Sequence, residues 1–151
     1  FTDADDEIEI AAGCSIPDIF KQHGETAFRD GERRVIERLL KQSTHVLATG
    51  GGAFMDPKTR ALIKQGGVSV WLRADIEVLW RRVSRRGHRP MLKTDNPRAT
   101  LSALIDERYP VYATADVTVE SRDGPPEETV DRVVDALRNF VSSGKQDNEY
   151  A

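Results

Sequence analysis

Three consecutive glycines, Gly50-Gly51-Gly52, follow the short apolar run His45-Val46-Leu47-Ala48-Thr49. A tight turn needs one glycine, or two. Three leave main-chain N–H groups with no side chain in the way, so a ligand can lie against the backbone; ligand approach outweighs turn chemistry here. Asp3 and Asp5 flank Ala4 at what reads as the end of a strand. On an extended backbone alternate residues share a face, so two carboxylates converge. Such a pair can hold Mg²⁺ through water or accept hydrogen bonds from a hydroxyl group. An acidic strand end kept in solvent is the plainer alternative, and these residues alone favour it.

Arginines supply the opposite charge. Arg29 follows Glu25 by four residues and precedes Glu32 by three, so ion pairing on a solvated helix face is its default role. The sharper alternative is a guanidinium fork aimed at a carboxylate ligand, with two parallel hydrogen bonds. Arg89 lies beside Pro90 in a polar loop, from which a guanidinium can swing over a phosphate and exclude water. A solvated basic loop is an equal alternative. Arg108 ends a helix, where a cation is favoured by the helix dipole whatever else it does. His23, His45 and His88 lack metal-ligand spacing, and the lone Cys14 excludes an internal disulfide and a cysteine metal cluster.

The elements that must carry these groups alternate between strand and helix. Phe1-Thr2-Asp3 reads as the end of a strand whose beginning has been cut away. Ser15 and Asp18 have capping-box spacing around Pro17, starting a short helix through Phe20. A second helix is expected over residues 25–41, burying Phe28, Ile36, Leu39 and Leu40. The strand at 45–49 ends in the glycine run. Asp56-Pro57 starts a helix that Gly66-Gly67 closes. Val68-Ser69-Val70-Trp71-Leu72 is nearly all apolar, as a strand covered on both faces requires. Asp75 caps a helix with Ile76, Leu79, Trp80 and Val83 on one stripe. Pro97 opens another, Val117-Thr118-Val119 is a strand, and Pro125-Pro126 leads a last helix expected to bury Val130, Val133, Val134, Leu137 and Val141. Strand–helix alternation implies right-handed crossovers and a parallel sheet. Ligands then bind beyond the carboxyl ends of the strands, which is where each unusual cluster falls.

A chain of 151 residues with 38% apolar residues has the size and core of one domain. No stretch approaches the roughly 20 apolar residues of a membrane span, and no leader for export is apparent, so a cytoplasmic setting without membrane association is expected. The net charge of −3 is too mild to argue for nucleic acid. Its distribution is uneven: acids crowd the first nine residues, and Arg81, Arg82, Arg85, Arg86 and Arg89 form a basic run. This separation suits an anionic ligand beside a metal or a hydroxyl group.

Taken in order, these clusters resemble the shikimate kinase family. The resemblance rests on Phe1-Thr2-Asp3-Ala4-Asp5 with Ile8-Glu9, on Gly13 with Ser15-Ile16, on Gly24-Glu25, Phe28-Arg29, Thr49-Gly50-Gly51-Gly52-Ala53 and Val70-Trp71-Leu72, and on Arg89-Pro90-Met91-Leu92 and Glu107-Arg108-Tyr109-Pro110-Val111-Tyr112. It covers the chain to about Leu137. It implies a three-layer α/β fold similar to nucleoside monophosphate kinases, with a sheet of five parallel strands flanked by helices. The implied domain spans 1–141 with a lid at about 87–97, followed by a polar tail over 142–151. The implied reaction is transfer of the γ-phosphate of ATP, with Mg²⁺, to the 3-hydroxyl of shikimate, in a protein expected to be monomeric. Asp5 would bind the shikimate hydroxyls and orient the attacking one. Arg29 and Arg108 would grip the carboxylate, and Gly50, Gly51 and Gly52 would line the same pocket. Asp3 would reach Mg²⁺ through water. Arg89 would contact the transferring phosphate, Arg82 would stack near adenine, and Pro126 would sit at the adenine edge.

One departure from the family pattern shapes the expectation. The phosphate loop ending in Gly-Lys-Ser/Thr should precede Asp3, and no such run occurs in the sequence. On that basis the chain reads as a member truncated at its N-terminus, without its first strand and phosphate loop, and inactive by itself. Two other readings compete: a related small-molecule kinase acting on gluconate, and a non-catalytic shikimate-binding pseudokinase.

Overall fold

The computed structural model describes residues 1–85 and 94–146. Its elements run β1 (Thr2–Asp3), α1 (Ala4–Ala12), α2 (Ile16–Leu40), β2 (Leu47–Ala48), a 3₁₀ turn (Ala53–Met55), α3 (Pro57–Gly66), β3 (Val70–Arg73), α4 (Ile76–Arg85), α5 (Pro97–Tyr112), β4 (Val117–Glu120) and α6 (Pro126–Gln146). The strands form two parallel pairs, β1 with β2 and β3 with β4. The chain divides into two compact units, Phe1–Val68 and the part that begins at Ser69.

In the first unit, Thr2 and Asp3 lie in register with Leu47 and Ala48, and the Thr2 N–H donates to the Val46 carbonyl at 2.9 Å. The opening segment is therefore a formed strand followed at once by a helix. This corrects the reading of the opening segment as a severed strand end: it is a paired β–α unit. The pairing partner lies 45 residues away in register, beyond the reach of local reasoning.

Helix α1 is itself absent from the sequence-based expectation. Asp3, extended at φ −97° and ψ 123°, is the N-cap of α1, its Oδ1 accepting from the Asp5 N–H at 2.9 Å, and it is Asp5 that has left the strand for the helix, so the two do not alternate along one extended segment. Asp5, Asp6 and Glu7 fill the first turn, where negative charge meets the positive end of the helix dipole. Gly13, at φ 70°, closes the helix in the left-handed conformation that glycine adopts without strain. Ala4 and Ile8, one helical turn apart, are both buried.

The Ser15 cap forms as its spacing predicts, with Ser15 Oγ accepting from the Asp18 N–H at 3.3 Å. The two helices expected on either side of Gly24 join into α2, broken only at Gly24 with φ 78° and ψ 177°. Phe28, Val35 and Leu39 pack with Ile8 and Ile19, while Ile36 packs with Ala4 and Ala53. Leu39 is 1% exposed. Leu39→Ala is expected to cost about 3 kcal/mol, lost transfer energy plus the cavity left behind, measured by chemical denaturation.

In the second unit, β3 and β4 pair from Val70–Val117 to Arg73–Glu120. Val117 and Val119 are buried while Thr118 and Glu120 are exposed, the alternation of a strand with one covered face. Asp116 accepts from both the N–H and the hydroxyl of Ser69, at 2.8 and 2.7 Å, fixing the start of the ladder. Trp71 meets Tyr109 edge-on at 4.8 Å between centroids, and the Tyr109 hydroxyl donates to the Ala74 carbonyl. Two expectations are revised here. Leu72 is 52% exposed, so β3 is not covered on both faces, and on α6 Val130, Val134 and Val141 are exposed rather than buried. Periodicity shows which residues share a face; it does not supply the surface that would cover it.

Candidate active site

The carboxyl ends of β1 and β2 bring three predicted groups together. Asp5 stands in the first turn of α1, directly after β1. The glycine run leaves β2 and feeds the 3₁₀ turn, in which the Ala53 N–H donates to the Gly50 carbonyl at 3.1 Å and the Met55 N–H to the Gly52 carbonyl at 3.2 Å. Arg29 reaches across from α2. A methyl group built on Gly50 would stand 3.7 Å from Asp5 Oδ1. One built on Gly52 would lie 2.7 Å from Arg29 Nη1 and 2.8 Å from its Cζ, closer than atoms can pack. The guanidinium thus occupies the space that any side chain at position 52 would need. Gly52 has φ −68° and ψ −28°, ordinary right-handed backbone, so it is glycine for room and not for conformation.

Arg29 is oriented by more than the glycine. Its Nη1 donates to Glu32 Oε2 at 2.7 Å, its Nε lies 3.8 Å from Glu25 Oε1, and its Cζ is 5.1 Å from the centre of the Phe28 ring. Both ion-pair partners that spacing suggests are therefore used, but they differ. Glu25 is exposed, and Glu32 is 3% exposed. Sequence reasoning missed Glu32 as a site residue. The signal was there: it falls one turn after Phe28 and one before Ile36, on the buried face. Burial pushes its carboxyl pKa up, the Arg29 hydrogen bond and charge pull it down, and Asp5 and Asp56 raise it further, leaving a net increase.

Asp5 is shifted the same way. Partial burial raises its pKa most, the nearby charges of Asp3, Asp6 and Glu9 add to this, and Arg29 opposes them. A carboxylate with a raised pKa beside a guanidinium and bare main chain can accept a proton more readily than an ordinary aspartate.

Of the remaining predicted residues, Arg82, Arg108 and Pro126 lie in the second unit. Arg82, on α4, donates to Ser121 Oγ at 2.9 Å and to the Arg122 carbonyl at 2.7 Å, so it is tied to the turn between β4 and α6 that leads to Pro126, the first residue of α6. Arg108 is half-buried on α5 in the second unit. Arg89 and most of the expected lid lie outside the described residues. Among the described residues no group of three or more His, Cys, Asp or Glu side chains could hold a metal, and no helix is long and apolar enough to cross a membrane.

Comparison with known proteins identifies the family. The shikimate kinase family model matches residues 1–138. The chain is 55% identical over 141 residues to the shikimate kinase of Rhodopseudomonas palustris, covering 93% of this chain and 70% of that protein. It is 56% identical over 138 residues to that of Caulobacter vibrioides, covering 91% and 69%. Among solved structures, the shikimate kinase from Acinetobacter baumannii in complex with shikimate superposes with a TM-score of 0.80 at 36% identity, over 93% of this chain and 78% of that one. The enzyme from Bacteroides thetaiotaomicron gives 0.83 at 25% identity, over 91% and 83%. The family match begins at residue 1 and the residues there form β1 and α1, which corrects the reading of the opening segment as a strand remnant; the sequence itself contains no Gly-Lys-Ser/Thr run. The chain belongs to the shikimate kinase family, phosphotransferases that move the terminal phosphate of ATP onto shikimate in the biosynthesis of the aromatic amino acids.

Proposed function

We propose that Asp5, Arg29 and the Gly50–Gly52 run form the shikimate pocket, with Arg29 on the carboxylate and Asp5 on the ring hydroxyls. The observation that carries this reading is the close approach of the Arg29 guanidinium to Gly52 beside Asp5 and Gly50. One small anion with several hydroxyls needs a fork of donors, an acceptor and main chain it can lie against. Gly51, in the middle of the run, lines the same wall.

Asp5 then orients the 3-hydroxyl and receives its proton as the oxygen attacks the γ-phosphorus. The new O–P bond forms while the bridging bond to ADP breaks. Positioning and charge stabilisation account for most of the rate in such a transfer. By the family resemblance, Arg108 would supply a second guanidinium for the carboxylate and Arg89 would contact the transferring phosphate. Arg82 hydrogen-bonds through its edge to Ser121 and Arg122. That leaves a planar face on which adenine can stack, with Pro126 at the ring's edge. Mg²⁺, when bound, neutralises charge on the phosphates. Asp3 would hold it through water, and a single carboxylate fits, because this ion keeps several waters and takes one or two carboxylates.

Arg29→Met tests the pocket. It keeps the stem and removes the fork, so the KM for shikimate should rise by about 100-fold, as loss of a charge-assisted hydrogen-bond pair implies. The KM for ATP should be unchanged. A normal shikimate KM in steady-state assays would overturn the assignment.

A further inference from the structure

We infer that Arg60, on α3, is a positioning residue for shikimate, acting through the glycine run without touching the ligand. The inference rests on the reading that this run lines the shikimate pocket.

The 3₁₀ turn over Ala53–Met55 is short and ends abruptly. Continued, it would satisfy the Phe54 carbonyl from the N–H of residue 57 and the Met55 carbonyl from that of residue 58. Neither donor is there. Residue 57 is proline, which has no N–H, and the Lys58 N–H donates instead to Asp56 Oδ1 at 3.0 Å, capping α3. Arg60 Nη1 fills both places, donating to the Phe54 carbonyl at 2.7 Å and to the Met55 carbonyl at 2.9 Å. Its Cζ lies 5.9 Å from the Phe54 ring centre. Asp56 is in turn fixed by Arg33 Nη1 at 3.0 Å and by the buried Thr59 hydroxyl at 3.1 Å, so the helix that carries Arg60 is itself anchored.

The same turn is tied to the glycine run. Its amides at Ala53 and Met55 donate to the carbonyls of Gly50 and Gly52, and those two glycines face Asp5 and Arg29. One guanidinium behind the turn therefore sets the height of the pocket wall. Glycine has the widest backbone freedom of any residue, so three in succession hold one conformation only if something outside the run imposes it. Arg60 is the charged group placed to do so.

Steady-state kinetics of the enzyme with Arg60→Met and Arg60→Lys, beside Arg29→Met, tests this. In Arg60→Met the shikimate KM should rise by about tenfold, with the ATP KM within about twofold of normal. Arg60→Lys should recover part of the loss, because an ammonium group can satisfy one of the two carbonyls. A lowered melting temperature with an unchanged shikimate KM would make Arg60 a stability residue only and overturn the inference. Should Arg60→Met fail to fold, Arg60→Lys carries the test, and a normal shikimate KM there is equally fatal. Arg29→Met reports separately on the pocket: a normal KM in that variant overturns the pocket reading and the inference with it. A raised KM there beside a normal one in Arg60→Met overturns the inference alone.

Discussion

Asp5→Asn is expected to lower kcat by about 10²–10⁴-fold, the range over which a positioned proton acceptor contributes, while leaving the fold no less stable. Asparagine keeps the shape and the hydrogen-bonding reach of the side chain and removes its basicity. The stability half of the prediction follows from the direction of the pKa shift. Burial and the charges of Asp3, Asp6 and Glu9 raise the Asp5 pKa in the folded protein above its ordinary value of 3.8, despite Arg29. A group whose folded pKa is raised in this way opposes folding when ionised, and the opposition grows as pH rises from the unfolded pKa through the folded one. Above the folded pKa the wild type carries that cost in full and Asp5→Asn escapes it. The acid limb of wild-type kcat should therefore lie above the ordinary aspartate range, and the variant should lack it. Single-turnover kinetics and thermal melts across pH check both halves. A variant that melts well below the wild type near neutral pH, or that retains most of its kcat, would refute the assigned role.

Gly52→Ala should raise the shikimate KM by about 10- to 100-fold with a stability change of less than about 1 kcal/mol. The added methyl would lie 2.7 Å from Arg29 Nη1 and 2.8 Å from Cζ, so one of them must move. The guanidinium is the end of a flexible side chain and the backbone at residue 52 already suits alanine, so the arginine yields and the fold does not. Gly50→Ala makes the natural comparison. Its methyl would sit at an ordinary 3.7 Å from Asp5 Oδ1, and its effect should be several-fold smaller. Equal effects of the two substitutions, or a Gly52→Ala protein that unfolds, would show that the run is glycine for its turn and not for Arg29.

Local rules served well where the chemistry is local. Ser15 before Ile16-Pro17-Asp18, Asp56 before Pro57, and Asp75 before Ile76 each cap the helix that follows, because a short side-chain oxygen meets an N–H two or three residues on. They failed where one residue type serves two structures. Asp3 suits a strand end and a helix cap equally, and α1 was missed because Asp5-Asp6-Glu7-Ile8-Glu9 reads as a solvated acidic run until Ile8 finds Phe28 and Leu39 to pack against. The stripe on α6 failed in the opposite sense: Val130, Val134 and Val141 share a face, yet remain exposed.

For the site, the residues by themselves left Asp5 to a solvated strand end and Arg29 to ion pairing, and favoured ligand approach only at Gly50–Gly52; the resemblance to the family singled out the set, and the structure brings Asp5, Arg29, Gly50 and Gly52 close together. Which atoms meet was decided only by the tertiary structure. Glu32 differs from Glu25 because α2 turns one toward the core and the other toward water. Gly52 differs from Gly50 because a guanidinium from 23 positions earlier fills the space above it. Arg60 matters because Pro57 withholds an N–H from a turn it does not belong to. Spacing along a chain encodes contacts within a helical turn or a strand; contacts between elements depend on packing, which no short stretch of sequence contains.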